Sequence, residues 1–366
     1  MPFSLFRIKS IIDSLTVAGA EHVAVTLANN LPQESYRAYL CASRKSGPLQ
    51  KRLRPHVVFF DLRRRGRFDF FAIMRLSNFV RRERIQIIHA HSTSLFLGSL
   101  LCLLNPSLRL VWHDHYGFHE KQTRPVFLYS PFARQARVVF SVTRQLANWS
   151  IDALGIPGDR VIYMPNFVEV CEISDRPRDL PGEDGKRIVC VANVRRQKDH
   201  LTLVDAMSKI VQVDPQAHLL LVGEKTDAHL TELIQKQIFH AGLSRNVTWM
   251  GTRQDVAAIL KNCDIGVLSS VSEGFPVVLL EYGRAGLAVV ATKVGECVEI
   301  LEDGNAGMLV SPSNPNSLAS AIIQFLISAD LRARYGERLK SRIENNYSVD
   351  TIVLKICKEY DRVLKK

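Results

Sequence analysis

An α/β architecture of two consecutive parallel-sheet domains is what this sequence predicts. Three observations carry that reading. Apolar runs of strand length alternate with amphipathic runs of helix length along most of the chain. The alternation breaks once, at the acidic, proline-rich "SDRPRDLPGEDGK" (174–186), and then restarts. The 366 residues suffice for two ordinary domains, each with its own core.

The elements follow in order. "FRIKSII" (6–12) reads as a first strand, followed by the loop "DSLTVAGAE" (13–21) and a helix to Asn30. "IQIIHAH" (85–91) is a second strand, between a basic helix and the apolar "LFLGSLLCLL" (95–104). That apolar run is too short to span a membrane and stops at Asn105-Pro106, so a buried helix is expected. "RLVWHDH" (109–115) and "RVVFSVT" (137–143) are further strands, and "GIPGDRVIYMPNFVEV" (155–170) reads as irregular. After the linker come strand "RIVCVAN" (187–193), helix "HLTLVDAMSKIV" (200–211), strand "HLLLVG" (218–223) and a helix to about Gly242. Strand "VTWMG" (247–251), helix "DVAAILKNC" (255–263) and strand "DIGVLSS" (264–270) complete the series. Such sheets bind ligands outside the C-terminal ends of their strands, and here the cleft between the domains is expected to contribute. No GxGxxG follows the first strand, which argues against a dinucleotide.

Composition narrows the function. The apolar fraction of 46% is that of a globular chain. The N-terminus lacks the basic-apolar-small order of a secretion signal, and the seven cysteines form no CxxC pair. A reducing cytoplasm is expected, with neither disulfides nor zinc. The net charge of +12 lies entirely in residues 1–170, where 23 Lys and Arg face 11 Asp and Glu. Two clusters stand out: Arg63, Arg64, Arg65 and Arg67, then Arg81, Arg82 and Arg84. They suit phosphates, those of an anionic membrane above all, or they are a solvated face. The segment between them, with Phe70, Phe71, Met74 and Phe79, reads as an amphipathic helix. Its phenylalanines either enter the membrane interface or pack on the sheet and leave only the arginines outside. Nucleic acid is not expected as a partner, because no stacking aromatics interleave the arginines in a recognised motif.

The most informative stretch is "SEGFPVVLLEYGRAG" (272–286). Glu273 falls in a loop after a strand, and Glu281 about a turn and a half into the next helix. Pro276 suits the first helical turn, whose free N–H groups form a phosphate site. Gly274 permits close approach of the backbone. Glu281 can accept the two hydroxyls of a ribose, and Glu273 a hydroxyl beyond the phosphates. Ribose, phosphate and polyol together describe a nucleotide sugar.

These residues resemble the E-x7-E signature of family 4 glycosyltransferases, which share the two-domain GT-B fold. The resemblance covers nearly the whole chain. Gly19-Ala20-Glu21 resembles the family's GGAE loop against the donor phosphates. "IIHAH" and "VWHDHYG" match segments ending in the cleft, the second presenting His115 to the donor sugar. "MPNFVEV" resembles the hinge, with Phe167 in place of its glycine. "VANVRRQKDH" occupies the place of the segment whose arginine and lysine hold the diphosphate. There Asn193 stands for the arginine, so the charge falls to Arg195, Arg196 or Lys198 alone. The resemblance implies a retaining hexosyl or N-acetylhexosaminyl transfer, with UDP-sugar as donor and a glycan or lipid-linked glycan as acceptor. It implies bacterial surface-polysaccharide assembly, in the cytoplasm or peripheral on the inner face of the membrane. Glu273, His115 and Lys198 are the implied catalytic residues. Gly19, Arg195, Arg196, Gly274, Phe275, Pro276, Val277 and Glu281 join Lys198 in holding the donor. Domains are expected at 1–167 for the acceptor and 168–345 for the donor, with a helix at 346–366 packing back toward the first. The alternatives are another GT-B enzyme, a sugar-nucleotide 2-epimerase or a phosphorylase, and a basic nucleic-acid binder.

No Asp-x-Asp is present to bridge a diphosphate through a metal, so no cofactor or metal is expected. His113 and His115 lie two apart near a strand end, but no cysteine or carboxylate completes a familiar zinc spacing. His89 reads as a packed strand-end residue, and Asp114 as either a base or a cap.

Overall fold

The computed structural model describes residues 5–16, 19–66, 69–116, 124–168 and 180–365. The chain divides into two compact units: Met1–Glu169 with Val349–Lys366, and Val170–Ser348.

The first unit is built on seven parallel strands in the order β3-β2-β1-β4-β5-β6-β7. They are β1 (Phe6–Ser14), β2 (Tyr36–Lys45), β3 (Val58–Asp61), β4 (Ile87–His91), β5 (Arg109–Asp114), β6 (Val138–Ser141) and β7 (Val161–Tyr163). Its first helices are α1 (Gly19–Asn30), α2 (Phe70–Arg82), α3 (Leu95–Leu104), α4 (Val126–Ala133) and α5 (Arg144–Asp152). β1 and β4 pair in the middle (Ile8↔Ile87, Ser10↔His89), so the order of connection reverses between them. A central parallel strand is covered on both faces, and all five residues of β4 are buried, His89 and His91 included. One face packs on α1 through Val23 and Leu27, and the other on α2 and α3 through Leu76, Phe79, Leu97 and Leu101.

Sequence reasoning found β1, β4, β5 and β6 but neither β2 nor β3, and it took β7 for irregular chain. β7 is three residues long and pairs only with β6 (Val139↔Val161), so Pro157 and Pro165 flank a ladder they do not enter. β5 stops at Asp114, which leaves His115 just beyond the sheet edge.

The second unit has six parallel strands in the order β10-β9-β8-β11-β12-β13. They are β8 (Arg187–Val191), β9 (His218–Val222), β10 (Val247–Gly251), β11 (Ile265–Leu268), β12 (Ala288–Thr292) and β13 (Met308–Val310). Its helices are α6 (His200–Val213), α7 (Ala228–His240), α8 (Val256–Lys261), α9 (Val277–Ala285), α10 (Cys297–Ile300), α11 (Pro315–Ile327) and α12 (Ala329–Asn346). Asp199, Asp227, Asn314 and Ser328 cap α6, α7, α11 and α12 by accepting from backbone N–H groups of their first turns. The last helix, α13 (Val349–Lys365), lies on the first unit. It buries Ile352, Ile356 and Tyr360 beside α1 and holds Tyr36 through Asp361, whose Oδ1 accepts from the phenol at 2.6 Å.

Two glycines set the position of α9. A Cβ on Gly336 of α12 would lie 2.2 Å from the Gly286 carbonyl oxygen, and one on Gly283 would lie 2.6 Å from Ile343. The helices therefore touch almost backbone to backbone. Gly336→Ala should force α12 away from the end of α9 and destabilise the protein by about 1–3 kcal/mol, the usual range for overpacking. Denaturant unfolding measures this, and unchanged stability would show that the contact yields freely.

Candidate active site

In the second unit the loops after β8 and β11 meet. After β8 the chain passes Asn193, whose Oδ1 accepts from the Glu224 N–H at 2.9 Å. Asn193 thus fastens the loop to the end of β9 instead of offering a charge. A single 3-10 turn, Arg196–Lys198, follows, with Arg195 and Arg196 exposed. Asp199 then adopts a left-handed conformation and caps α6. This geometry turns the Lys198 ammonium onto Glu273, 2.5 Å away, with side chains 20% and 9% exposed. Ser270 donates to the same carboxylate oxygen at 2.6 Å.

The Glu273 loop is held by its backbone. Val271 N donates to Gln197 O at 2.8 Å, Ser269 Oγ to Lys198 O at 2.9 Å, and Glu296 N to Gly274 O at 3.0 Å. Gly295, with φ of 49°, passes so close that a Cβ there would lie 2.3 Å from the Glu273 carbonyl oxygen. Only glycine meets both demands. Beneath the pair, burial pushes the Cys190 and Cys297 thiols up to about 12, so they are neutral packing groups and not nucleophiles.

Pro276 is the N-cap of α9 rather than a residue of its first turn, and no side chain caps that end. Val277 opens the helix, and Phe275 packs against Tyr347 with ring centroids 6.1 Å apart. Glu281, the fifth helical residue, is half-buried. Desolvation raises its carboxyl above the usual range, opposed by Arg284 on the next turn. The structure thus gathers Lys198, Glu273, Gly274, Phe275, Pro276, Val277 and Glu281 on one edge of this sheet.

In the first unit, Gly19 opens α1, is exposed, and has no atom within 4 Å of where a Cβ would sit. The ends of β4 and β5 carry a stack of histidines. His91 pairs with His113 in register, and the rings of His89 and His91 stack 4.5 Å apart, those of His113 and His115 4.0 Å apart. His89 Nδ1 bonds the Tyr360 hydroxyl on α13, His89 Nε2 lies 3.3 Å from His113 Nδ1, and His91 Nδ1 lies 3.0 Å from His115 Nε2. Burial lowers all four: His89 and His115 to about 3, His91 and His113 well below their ordinary value. The Asn166 side chain opposes this at His115.

Among the described residues, His89, His91 and His113 form the group whose ring nitrogens come close enough, within 4.8 Å, to share a metal ion. The donor set fits poorly. No carboxylate belongs to it, and both nitrogens of His89 already face partners. Asp114 is not a free base. Fully buried, it accepts two bonds from Arg124, at 3.0 and 2.5 Å, and one from the Tyr116 N–H.

The two arginine clusters lie at opposite ends of α2. Arg63, Arg64 and Arg65 precede α2, while Arg81 and Arg82 end it and Arg84 follows. The helix between them is 13 residues long, which separates the clusters by about 20 Å. Phe79 is buried against Phe60 and Tyr39, whereas Phe70 and Phe71 are 65% and 86% exposed. Arg67 lies outside the described residues. Sequence reasoning missed Ser270, Gly295 and Tyr360. Ser270 was visible three residues before Glu273, but nothing in the sequence joins Tyr360 to His89.

The chain matches two family models, that described as Glycosyltransferase Family 4 over residues 17–171 and that described as Glycosyl transferases group 1 over residues 185–328. The phosphatidyl-myo-inositol mannosyltransferase of Mycolicibacterium smegmatis is 25% identical over 82% of this chain and 77% of its own length. The N,N'-diacetylbacillosaminyl-diphospho-undecaprenol alpha-1,3-N-acetylgalactosaminyltransferase of Campylobacter jejuni is 34% identical over 32% of this chain and 31% of its own length. Among solved structures, Anabaena HepE in complex with UDP and glucose superposes with a TM-score of 0.79 at 19% identity, covering 98% of this chain and all of that one.

The histidine stack makes stability depend on acid. His89 and His115 stay neutral in the fold down to about pH 3, whereas unfolded histidines take up protons near 6.5. Their contribution is therefore complete above pH 6.5 and is lost as the pH falls from 6.5 toward 3. Denaturant unfolding at several pH values should show wild-type stability falling across that window more steeply than that of His89→Gln. Equal slopes would mean that the stack takes up protons without cost.

Proposed function

Because this chain belongs to the family 4 glycosyltransferases and has their GT-B fold, we propose that it retains configuration while moving a hexosyl or N-acetylhexosaminyl unit from UDP-sugar to a lipid-linked or other glycan acceptor. The observation that carries this reading is the Lys198–Glu273–Ser270 constellation beside the start of α9. It sets a cation for a diphosphate and a carboxylate for sugar hydroxyls side by side. Glu281, farther along the same helix, is the group for the ribose. The UDP held by HepE and the lipid-linked names of the two curated relatives support the choice of donor and acceptor.

The chemistry is a front-face displacement. The bond from the anomeric carbon to the diphosphate oxygen breaks, and the acceptor oxygen attacks from the side on which the diphosphate leaves. The acceptor's proton passes to the departing phosphate oxygen. Lys198, Arg195 or Arg196, and the first N–H groups of α9 meet the developing negative charge. The Lys198 ammonium rests against Glu273 until the donor arrives. An imidazole with a pKa near 3 is a weak base at neutral pH, so His115 orients the sugar and takes no proton. No metal enters the scheme. Among the described residues no helix is long and apolar enough to cross a membrane. The enzyme would work in the bacterial cytoplasm, held peripherally at the membrane where surface polysaccharide is assembled.

A panel of nucleoside-diphosphate sugars tests the reading: at least one should raise the melting temperature and slowly release its diphosphate, and a response to none would refute it. Lys198→Ala should lower turnover by about 10²–10³-fold, the scale for one group aimed at developing charge. It also strands Glu273, so Lys198→Ala/Glu273→Gln should be more stable than Lys198→Ala, as unfolding will show. Glu281→Ala should raise the donor KM chiefly, and Glu273→Ala should lower kcat at saturating donor. A chelator should leave the rate unchanged; complete loss restored by one divalent ion would overturn the metal-free scheme.

A further inference from the structure

A cavity of about 1020 Å³ opens at the ends of β2 and β3, against the start of α2. Six cations line it: Arg44 and Lys45 from β2, Arg63, Arg64 and Arg65 from the loop after β3, and Arg75 from α2. Among the described residues two carboxylates line it with them, and both are engaged. Asp61 Oδ2 holds Arg63 at 2.7 Å. Asp69 caps α2, accepting from the Arg65 and Ala72 N–H groups at 3.0 and 3.1 Å, and these bonds hold its carboxyl below the usual range.

The floor of the cavity is fixed. Leu62 N donates to Ala42 O and Arg64 N to Ser43 O, which carries the β2–β3 ladder past the end of β3. Arg63 between them takes a left-handed conformation, φ 52°, unusual for a side chain of its size. Asp13 at the end of β1 accepts from Ser43 Oγ at 2.7 Å and Thr93 Oγ1 at 2.5 Å, and sits 3.8 and 3.9 Å from Arg44 and Arg64. Arg64 is held with only 10% of its side chain exposed. Arg75 donates to Leu62 O. These contacts orient Arg44, Arg63, Arg64 and Arg75 in a concave site, with Lys45 and Arg65 exposed beside them, whereas a solvated face leaves long side chains to spread. Like charges gathered this closely repel, and a multivalent anion relieves the repulsion. Guanidinium forks match phosphate oxygens two at a time. At the rim stands Phe71, with Phe70 beside it, both open to solvent.

We propose that this cavity binds the phosphate or diphosphate of the acceptor, so that the acceptor is a phosphorylated amphiphile. Its anion sits among Arg44, Lys45, Arg64, Arg65 and Arg75, and the first stretch of its hydrocarbon lies on Phe70 and Phe71. That this anion belongs to an acceptor rests on the transferase reading above; that the cavity takes a phosphate does not.

The test uses the full chain with saturating UDP present, to keep the probe from the donor site. Farnesyl diphosphate and farnesol are titrated by calorimetry, with inorganic pyrophosphate as competitor. The diphosphate should bind, the alcohol should bind at least tenfold more weakly, and pyrophosphate should displace the first. Lys45→Ser/Arg65→Ser, both exposed positions, should weaken the diphosphate at least tenfold while UDP still raises the melting temperature as in wild type. Equal binding by the variant, or by alcohol and diphosphate, overturns the proposal. Flotation with phosphatidylglycerol vesicles separates the two sources of phosphate. Binding to vesicles that farnesyl diphosphate does not displace would assign the cations to bilayer headgroups and remove the acceptor. Diphosphate binding in a protein that no nucleotide sugar stabilises would leave the cavity standing and sink the transferase reading.

Discussion

In each unit every paired strand runs parallel to its neighbours, and the rest of the structure depends on that constraint. Parallel strands end together, so all the loops that follow them emerge along one edge of the sheet. Residues far apart in sequence are thereby brought to contact distance by backbone pairing alone. Lys198 follows β8 and Glu273 follows β11, and these strands are neighbours. The histidines lie at the ends of β4 and β5, also neighbours. The basic cavity takes Arg44 and Lys45 from the end of β2 and Arg63, Arg64 and Arg65 from the loop after β3, neighbours again, with Arg75 added from α2. Each chemical cluster is a pair of adjacent strand ends.

The two units use these edges in opposite electrical ways. At the edge of the second unit, Lys198 and Glu273 form an ion pair mostly shielded from water. Such a pair contributes little to stability, because desolvating the two charges offsets most of their attraction. Its effect is directional. It aims the ammonium in one direction and, with Ser270, holds the carboxylate in place. At the edge of the first unit, the histidine stack excludes charge, and burial keeps all four rings neutral at physiological pH.

The backbone shows where position outweighed propensity. Asp199 and Arg63 are non-glycine residues in left-handed conformations, and the loops they lie in turn a cap onto α6 and a guanidinium onto Asp61. At Asp199 the side chain is compensated by capping α6. At Gly295 and Gly336 the demand is for space, because a carbonyl oxygen occupies the place of the missing Cβ.

Sequence periodicity alone determined the α/β class, the break into two halves and most strands, because buried parallel strands are apolar runs that need no partner to be recognised. It also determined the E-x7-E motif, since Glu273 and Glu281 are fixed relative to one another by one loop and one helix. It did not extend to β12 and β13, and it failed at β2, β3 and β7. The last three lie toward the outside of the seven-stranded sheet, where Arg37 and the basic end of β2 mix polar residues into the pattern and β3 and β7 are only four and three residues long. The basic cavity was invisible because Arg44 and Lys45 come from a strand that was not recognised, although the cluster Arg63, Arg64 and Arg65 was. Only the tertiary structure decided that Asn193 is a backbone fastener, that Asp114 belongs to Arg124, and that Tyr360 reaches His89 from 271 residues away. Local spacing fixes what lies on one helix or one loop. Which loop meets which is set by the order of the strands in the sheet, and that order is a property of the folded chain.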